Sequence, residues 1–191
     1  APGYAFLTPE EAAFVETLVD HMVPADQHTP KGTDVGINIY IDRALAGGWG
    51  KGDKLYMQGP WAKGAPTQGY QLAFTPAEFF RVGIAAVNTH CRKTYQKDFD
   101  RLTVDQQVGV LKGLEQGQIT LGEVSAQEFF TLLLNTAMQG FFADPLYGGN
   151  RDKVAWKMIG FPGLPANYRE EIKSYYNKKY DKEPQSIADF S

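Results

Sequence analysis

The residues that could carry out catalysis are few in this sequence, and none of them forms a complete catalytic motif. His90 precedes Cys91 directly, but neighbouring residues on a helix point in different directions, so the two form no nucleophile–base pair. With only three histidines and no His-Glu-x-x-His motif, the sequence predicts no metal site. No serine stands in the Gly-x-Ser-x-Gly turn of many hydrolases; the four are Ser125, Ser174, Ser186 and Ser191.

One C-terminal stretch offers the remaining catalytic possibility. This stretch, the 144–163 segment, reads DPLYGGNRDKVAWKMIGFPG and holds the carboxylates of Asp144 and Asp152. Its two glycines could form a phosphate cradle, but no strand pattern precedes them and no Gly-Lys-Ser/Thr follows. Asp before Pro typically starts a turn, and Asp152 is placed to cap a helix containing Trp156. The sequence therefore favours turn and cap roles for both carboxylates over acid–base catalysis.

Charge and cysteine content exclude several classes of protein. Nineteen basic and 22 acidic residues are interspersed along 191 positions, leaving a formal charge of −3. Without a basic stripe we expect no nucleic-acid partner, and without a long apolar run we expect membrane contact only through other proteins. The single cysteine, Cys91, cannot form an internal disulfide. It is expected to be a buried helix residue, with a bridge to another chain as the alternative.

Four helix starts share one signature, in which Thr or Ser is followed three residues later by Glu or Gln. Each is a capping box, in which the two side chains bond free backbone N–H groups; they begin at Thr8, Thr75, Thr103 and Ser125. Apolar residues recur with helical period after each box, and alternating strand patterns are missing. We therefore predict an all-α fold, a compact helical domain over residues 1–191 with about five to seven helices.

The apolar pattern identifies the central helix and adds two further helices to these four. The run FFTLLLNTAMQGFF after Ser125 is apolar nearly all round, so we expect it to form the central, most buried helix. A weaker helix begins near Asp34 and ends at Gly47. A C-terminal helix plus tail occupies about 166–191, and its helical part is expected to turn Ile172, Tyr175 and Tyr176 inward.

The stretch 47–74, which we call the arm, interrupts the helical pattern. It contains seven glycines, two prolines and four large aromatic residues: Trp49, Tyr56, Trp61 and Tyr70. Loops of this length are uncommon inside a compact domain and are usually functional or disordered. Because disordered linkers are poor in aromatic residues, we interpret the arm as a segment that packs on a partner protein.

Several stretches in order along the chain resemble the gluconate 2-dehydrogenase subunit 3 family. They are FLTPEEAAFVETLVDHMVPAD near the start, DVGINIYIDRALAG, YMQGPW within the arm and the 144–163 segment. The last of these is the most specific. Within the family, the Gln-Gly-Pro-Trp element favours a gluconate or 2-ketogluconate dehydrogenase over a glucose dehydrogenase.

The resemblance implies a small, non-catalytic subunit of a membrane-associated bacterial dehydrogenase. No cofactor is expected in this chain. Its implied partners are a large flavoprotein that holds FAD and a multihaem cytochrome c that passes electrons to quinone. Family precursors carry a twin-arginine signal with which the folded flavoprotein is exported, so we expect a signal cleaved before Ala1 and a periplasmic location.

A subunit of this kind needs a broad interface rather than an active site. Obligate interfaces are large and rich in aromatic residues and Arg. We predict that the arm and the 144–163 segment supply the interface, while packing in the chain's own core stays the alternative for each tryptophan, most strongly for Trp156. The predicted interface residues are Trp49, Tyr56, Trp61, Tyr70, Tyr147, Gly148, Gly149, Asn150, Arg151 and Trp156, with Cys91 as a possible intersubunit thiol.

Two other functions stay open from the sequence. A stand-alone enzyme would use His90, Asp144 or Asp152. A sugar-acid-binding module would use Trp49 and Trp61 as stacking platforms.

Overall fold

A computed structural model describes residues 3–62, 64–68, 70–164 and 167–190. Positions 63 and 69 of the arm and the ends of the predicted C-terminal region, 166 and 191, lie outside the described residues. The described part is all-α and contains no β-strand, as predicted. Its α-helices are α1 Pro9–Met22, α2 Ile37–Ala46, α3 Pro76–Tyr95, α4 Val104–Glu115, α5 Ala126–Phe142, α6 Val154–Ile159 and α7 Arg169–Ser174.

The predicted helix starts are confirmed, one of them with a simpler cap. Helices α1, α3 and α4 begin with complete capping boxes at Thr8, Thr75 and Thr103. At α5 the Ser125 hydroxyl accepts the Glu128 N–H, but the return bond from the Glu128 side chain is not formed. Each start is specified within four residues, which is why sequence alone locates it.

Helix α5 is the centre of the bundle, as its apolar sequence predicts, and packs against α1, α2, α3, α4 and α6. Small residues allow the closest approaches. A Cβ atom on Gly83 of α3 would lie 2.2 Å from the Phe129 ring, and one on Gly140 would lie 2.9 Å from the Tyr40 ring of α2. These glycines let a ring occupy the space that their own side chains would need.

The C-terminal region differs from the prediction. Its helix, α7, covers only Arg169–Ser174, and Ile172 and Tyr176 are 69% and 75% exposed, so these two side chains do not face inward. Tyr175 is half-buried and contacts Tyr180, with 4.8 Å between ring centroids. The chain that follows this short helix folds back towards it through aromatic and Lys contacts, and the helix does not join the bundle core.

None of the helices that the structure describes is long and apolar enough to cross a membrane.

Candidate partner-binding surface

The 144–163 segment opens with a turn that Asp144 stabilises. Its Oδ1 accepts the Leu146 N–H at 2.9 Å, and its Oδ2 accepts the Ile187 N–H at 2.9 Å. The turn role predicted for Asp144 is thus confirmed. Because both carboxylate oxygens bond backbone N–H groups, this side chain is committed to structure.

The glycine pair brings the segment into direct contact with two helices. A Cβ atom on Gly149 would lie 2.0 Å from the Gly140 carbonyl oxygen of α5. Gly148 has a φ of +104°, and a Cβ atom there would lie 3.0 Å from Ile39 Cγ2 of α2. Gly149 is buried, so it is an internal packing position rather than the interface residue predicted from the sequence. The pair serves close backbone packing.

Lys153 stands at the N-cap position of helix α6 without a side-chain bond, and it is Asn150, not Asp152, whose side chain caps the first turn. The Asn150 side chain is buried, accepts the Ala155 N–H at 2.9 Å and donates to the Ala143 carbonyl at 2.9 Å. Two predictions are therefore wrong: Asp152 is exposed and does not cap the helix, and Asn150 is internal rather than partner-facing. The reason lies in the backbone, which turns left-handed at Asn150, Asp152 and Lys153 and moves the cap two residues upstream.

Arg151 is exposed but already bonded within the chain. Its guanidinium donates to the Asp34 carbonyl at 2.8 Å, and its backbone N–H donates to the Val35 carbonyl at 3.0 Å. These bonds hold the loop against the turn that precedes α2. Arg151 keeps an exposed cationic side chain for a partner, although its position is fixed by this chain.

Trp156 lies in the chain's own core, which is the alternative that the sequence left open for it, and is not exposed as an interface anchor would be. It is 6% exposed, and its indole N–H donates to the Phe142 carbonyl at 2.8 Å. Its ring meets Phe161 edge to face, with 5.2 Å between centroids. A tryptophan whose polar group is satisfied and whose ring is covered has little left to offer a partner.

The outer side of the segment is nonetheless apolar. Tyr147, one of the predicted anchors, is half exposed. The other exposed apolar residues of the segment were not predicted as interface residues, because apolar residues at helical spacing normally indicate a core face. The exposed apolar residues here are Leu146 at 43%, Tyr147 at 54%, Met158 at 44%, Ile159 at 56% and Phe161 at 41%. This outer face of 144–163 is the first half of the candidate surface.

The first part of the arm is docked on the bundle. A Cβ atom on Gly50 would lie 2.0 Å from the Leu45 carbonyl oxygen at the end of α2, and the Gly50 carbonyl accepts the Ala77 N–H of α3 at 3.0 Å. Trp49, within this docked part, is 36% exposed. The first part of the arm is therefore held against the end of α2 and the start of α3, with the Trp49 indole partly exposed.

The middle of the arm carries its most exposed aromatic residues. Tyr56 is 79% exposed and Trp61 is 41% exposed, so both predicted anchors lie at the surface. Tyr70 is instead half-buried at the edge of the core, where its hydroxyl donates to the Phe74 carbonyl at 2.6 Å. Burial raises the pKa of Tyr70 above its usual value. Tyr70 is an internal support of the arm rather than an exposed contact.

The other candidate residues occupy structural environments. Cys91 is fully buried in α3, and burial, followed by the nearby Asp98 carboxylate, raises the pKa of its thiol to about 11. The expected burial is thus observed, and the bridge to another chain would require opening of the helix packing. His21 Nε2 lies 2.7 Å from Gln107 Oε1, and His28 is an exposed turn residue. Among the described residues, no group of three His, Cys, Asp or Glu is placed to hold a metal.

A comparison with known proteins identifies the family of this chain. A family model described as gluconate 2-dehydrogenase subunit 3 matches residues 9–163, which include the helical bundle, the arm and the whole 144–163 segment. No curated protein and no solved structure matches the chain at a significant level. The matched range covers most of the sequence and stops before the C-terminal region. The chain therefore belongs to the gluconate 2-dehydrogenase subunit 3 family.

Proposed function

We propose that this chain is the non-catalytic small subunit of a periplasmic, membrane-associated gluconate 2-dehydrogenase and that it stabilises the FAD-containing large subunit. Membership in a family of dehydrogenase subunits supports a role within a larger complex. The observation that carries the proposal is the pair of exposed apolar surfaces, one on the arm and one on the outer face of 144–163. Large exposed apolar and aromatic side chains on a folded domain are typical of protein interfaces.

The proposed complex contains three kinds of subunit. The large flavoprotein binds FAD and oxidises the sugar acid, and a multihaem cytochrome c transfers the electrons onward. This chain binds the flavoprotein through Tyr56, Trp61, Leu146 and Tyr147 and reaches the inner membrane only through its partners. Co-export with the folded flavoprotein by the twin-arginine route completes the role. A related complex acting on 2-ketogluconate or glucose would use the same small-subunit architecture.

The sugar-acid-binding alternative has less support. A stacking site needs rings that face one sugar from two sides or that line one cavity. Among the described aromatic pairs none joins Trp49 with Trp61, and the two lie in different parts of the arm. Calorimetry of the isolated chain with millimolar gluconate separates the two functions, because the subunit role predicts no heat of binding.

Purification of the native complex tests the proposal. The chain is tagged and isolated from the periplasm with its bound partners, which are then identified by mass spectrometry and by the FAD spectrum. We expect a flavoprotein in stoichiometric amount, with sugar-acid dehydrogenase activity in the complex and none in the isolated chain. An isolated chain that is active without FAD, or one that retains no flavoprotein, would refute the proposal.

Substitution of the former catalytic candidates gives a second test. His90→Ala, Asp152→Asn and Asp144→Asn are introduced into the assembled complex, and turnover is measured per mole of bound FAD. We expect turnover per FAD to stay unchanged in all three, because the chemistry takes place on the partner. Loss of turnover with normal assembly in any one of them would show that this chain contributes a catalytic group.

A further inference from the structure

The C-terminal segment Pro184–Phe190 lies against the 144–163 segment. The Ile187 N–H donates to Asp144 Oδ2 at 2.9 Å. Two backbone bonds join the chain beyond α6 to Gln185: the Leu164 N–H donates to the Gln185 carbonyl at 2.9 Å, and the Gln185 N–H donates to the Pro162 carbonyl at 3.0 Å. Three separate hydrogen bonds therefore connect residues that are about twenty to forty positions apart in sequence.

Lys153 fixes the other end of this contact. Its ammonium donates to the Pro184 carbonyl at 3.0 Å and lies 2.5 Å from Asp189 Oδ2. The same Asp189 oxygen accepts the Ser186 N–H at 2.8 Å, and Ser186 is buried. The Lys153 side chain is 22% exposed and the Asp189 side chain is 40% exposed, so water shields this ion pair on the Asp189 side.

The contact coincides with an unfavourable backbone conformation. Lys153 has φ 59° and ψ 30°, in the left-handed region, immediately before the first residue of α6. Asn tolerates this region because its short side chain bonds locally, whereas a long side chain such as Lys rarely adopts it. Such a conformation persists only where surrounding contacts hold it. For Lys153 the side-chain contacts that hold it are those to Pro184 and Asp189.

A glycine completes the contact from the opposite side. Gly163 has a φ of +80°, and a Cβ atom on it would lie 2.0 Å from the Gln185 carbonyl oxygen. Only glycine allows the two backbones to approach this closely. The segment therefore packs closely at Gln185, because Gly163 has no side chain, and is held at Asp189 by the ion pair with Lys153.

We propose that Pro184–Phe190 is a latch that holds Lys153 in its left-handed conformation and thereby fixes the start and direction of helix α6. The latch lies beyond the residues that the family model matches, whereas Asp144, Lys153 and Gly163 lie within them. It acts together with the Asn150–Ala155 and Trp156–Phe142 hydrogen bonds to hold α6, a helix of six residues, in the orientation that buries Trp156 and exposes Met158 and Ile159.

The latch also extends the exposed apolar face. Ile187 is 38% exposed and Phe190 is 71% exposed, on the short helical turn that contacts Pro145–Tyr147. With the latch closed, these two residues lie beside Leu146 and Tyr147. Their contribution to flavoprotein binding rests on the proposed function, while the latch itself is a property of the isolated chain.

Hydrogen exchange of the isolated chain tests the latch. Lys153→Met removes the ion pair but keeps the length of the side chain, and Lys157→Met removes a neighbouring exposed pair with Glu183 as the matched control. In Lys153→Met we expect the Gln185 and Ile187 amides, and also those of Lys153 and Ala155, to exchange about tenfold faster or more. The control should exchange as wild type.

Two results would overturn the latch. Unchanged exchange at all four amides would show that the ion pair stabilises neither the Pro184–Phe190 segment nor the start of α6. Faster exchange at Gln185 and Ile187 alone would show that the segment leaves without any effect on α6. Gly163→Ala provides an independent opening of the same contact and should reproduce the Lys153→Met pattern, while α5 amides stay protected in both variants.

Assembly is measured separately. With the latch open we expect flavoprotein co-purification to fall about fivefold relative to wild type, since part of the apolar face is lost. If the exchange pattern appears and assembly is unchanged, the latch stands and its role in binding is refuted. If wild type itself retains no flavoprotein, the proposed function fails and the latch is unaffected.

Discussion

The arm and the 144–163 segment are both rich in glycine and aromatic residues, but these residues have different roles in the two regions. Both combine glycines with large aromatic residues, and both are expected from sequence to bind a partner. In 144–163 the buried Gly149 contacts the α5 backbone, and Trp156 lies in the core. In the arm, by contrast, Tyr56 and Trp61 are exposed. Glycine-rich aromatic sequence therefore indicates either close packing or an interface, and the surrounding backbone decides which.

The hydrogen bonds of the two regions explain the difference. Bonds from 144–163 reach the turn before α2, the end of α5 and the C-terminal segment. In the described part of the arm after Leu55, the bonds stay local, such as Gln68 N–H to the Ala65 carbonyl and Tyr70 hydroxyl to the Phe74 carbonyl. The bonds to several elements hold Trp156 in the core, whereas the local bonds of the arm leave Tyr56 and Trp61 exposed.

Substitutions of Trp156 and Trp61 should give the largest difference in the free energy of unfolding. Trp156→Ala should lower the free energy of unfolding by about 3–5 kcal/mol, because a buried ring and a satisfied N–H are lost. Trp61→Ala should change it by less than about 0.5 kcal/mol, because the ring is already partly in water. Urea unfolding of both variants measures the difference. Equal losses would remove the distinction between the two regions.

Substitutions of Gly149 and Gly59 should give the second-largest difference in stability. Gly149→Ala places a Cβ atom 2.0 Å from the Gly140 carbonyl oxygen, and we expect a loss of about 3 kcal/mol as the loop is pushed off α5. Gly59→Ala in the arm meets only the Trp61 ring, at 3.4 Å, and should be nearly neutral. Thermal melting of the pair decides the point, and a stable Gly149→Ala variant would show that the loop is not seated as described.

The cap of α6 provides a smaller effect within 144–163. Asn150→Ala removes the bonds to Ala155 and Ala143 and should cost about 2 kcal/mol. Asp152→Asn keeps a residue that tolerates the left-handed backbone and should cost less than about 0.5 kcal/mol. Chemical denaturation of the two variants compares them. A larger loss for Asp152→Asn would restore Asp152 as the cap.

The smallest predicted effect on stability comes from protonation of Asp189, which pairs with Lys153 of the 144–163 segment. The Lys153 ammonium, with help from the Ser186 N–H, holds the pKa of Asp189 below its ordinary value of 3.8. Because the pKa is depressed in the folded chain, the contribution of the contact is present at neutral pH and is lost as pH falls through that depressed value. In an NMR titration, Lys153→Met should move the Asp189 midpoint upward. An unmoved midpoint would show that the two charges do not interact.

Features specified within a few residues could be predicted from the sequence. Each capping box needs only positions i and i+3, and the all-apolar run after Ser125 identifies α5 as the central helix. The cap of α6 could not be predicted, since Asn150 and Asp152 are both suitable residues and the choice depends on three left-handed positions held by distant contacts. The latch joins Lys153 to Asp189 and leaves no local signal in the sequence.

The candidate surface was only partly predictable for the same reason. Tyr56, Trp61 and Tyr147 are exposed as interface residues should be, but Asn150 and Trp156 are not. Aromatic content selects both groups equally, because core and interface favour the same side chains. Only the packing of the loop on α5 separates them.

Flavoprotein binding by surface variants tests the central claim most directly. Two double variants, Tyr56→Ser with Trp61→Ser and Leu146→Ser with Tyr147→Ser, are co-expressed with the large subunit, beside Val104→Ser as a control at a 65% exposed apolar position on α4. The FAD recovered per mole of purified chain is then measured. We predict that each double variant lowers recovery about tenfold or more while the control stays at the wild-type value. Wild-type recovery with both double variants would contradict the account.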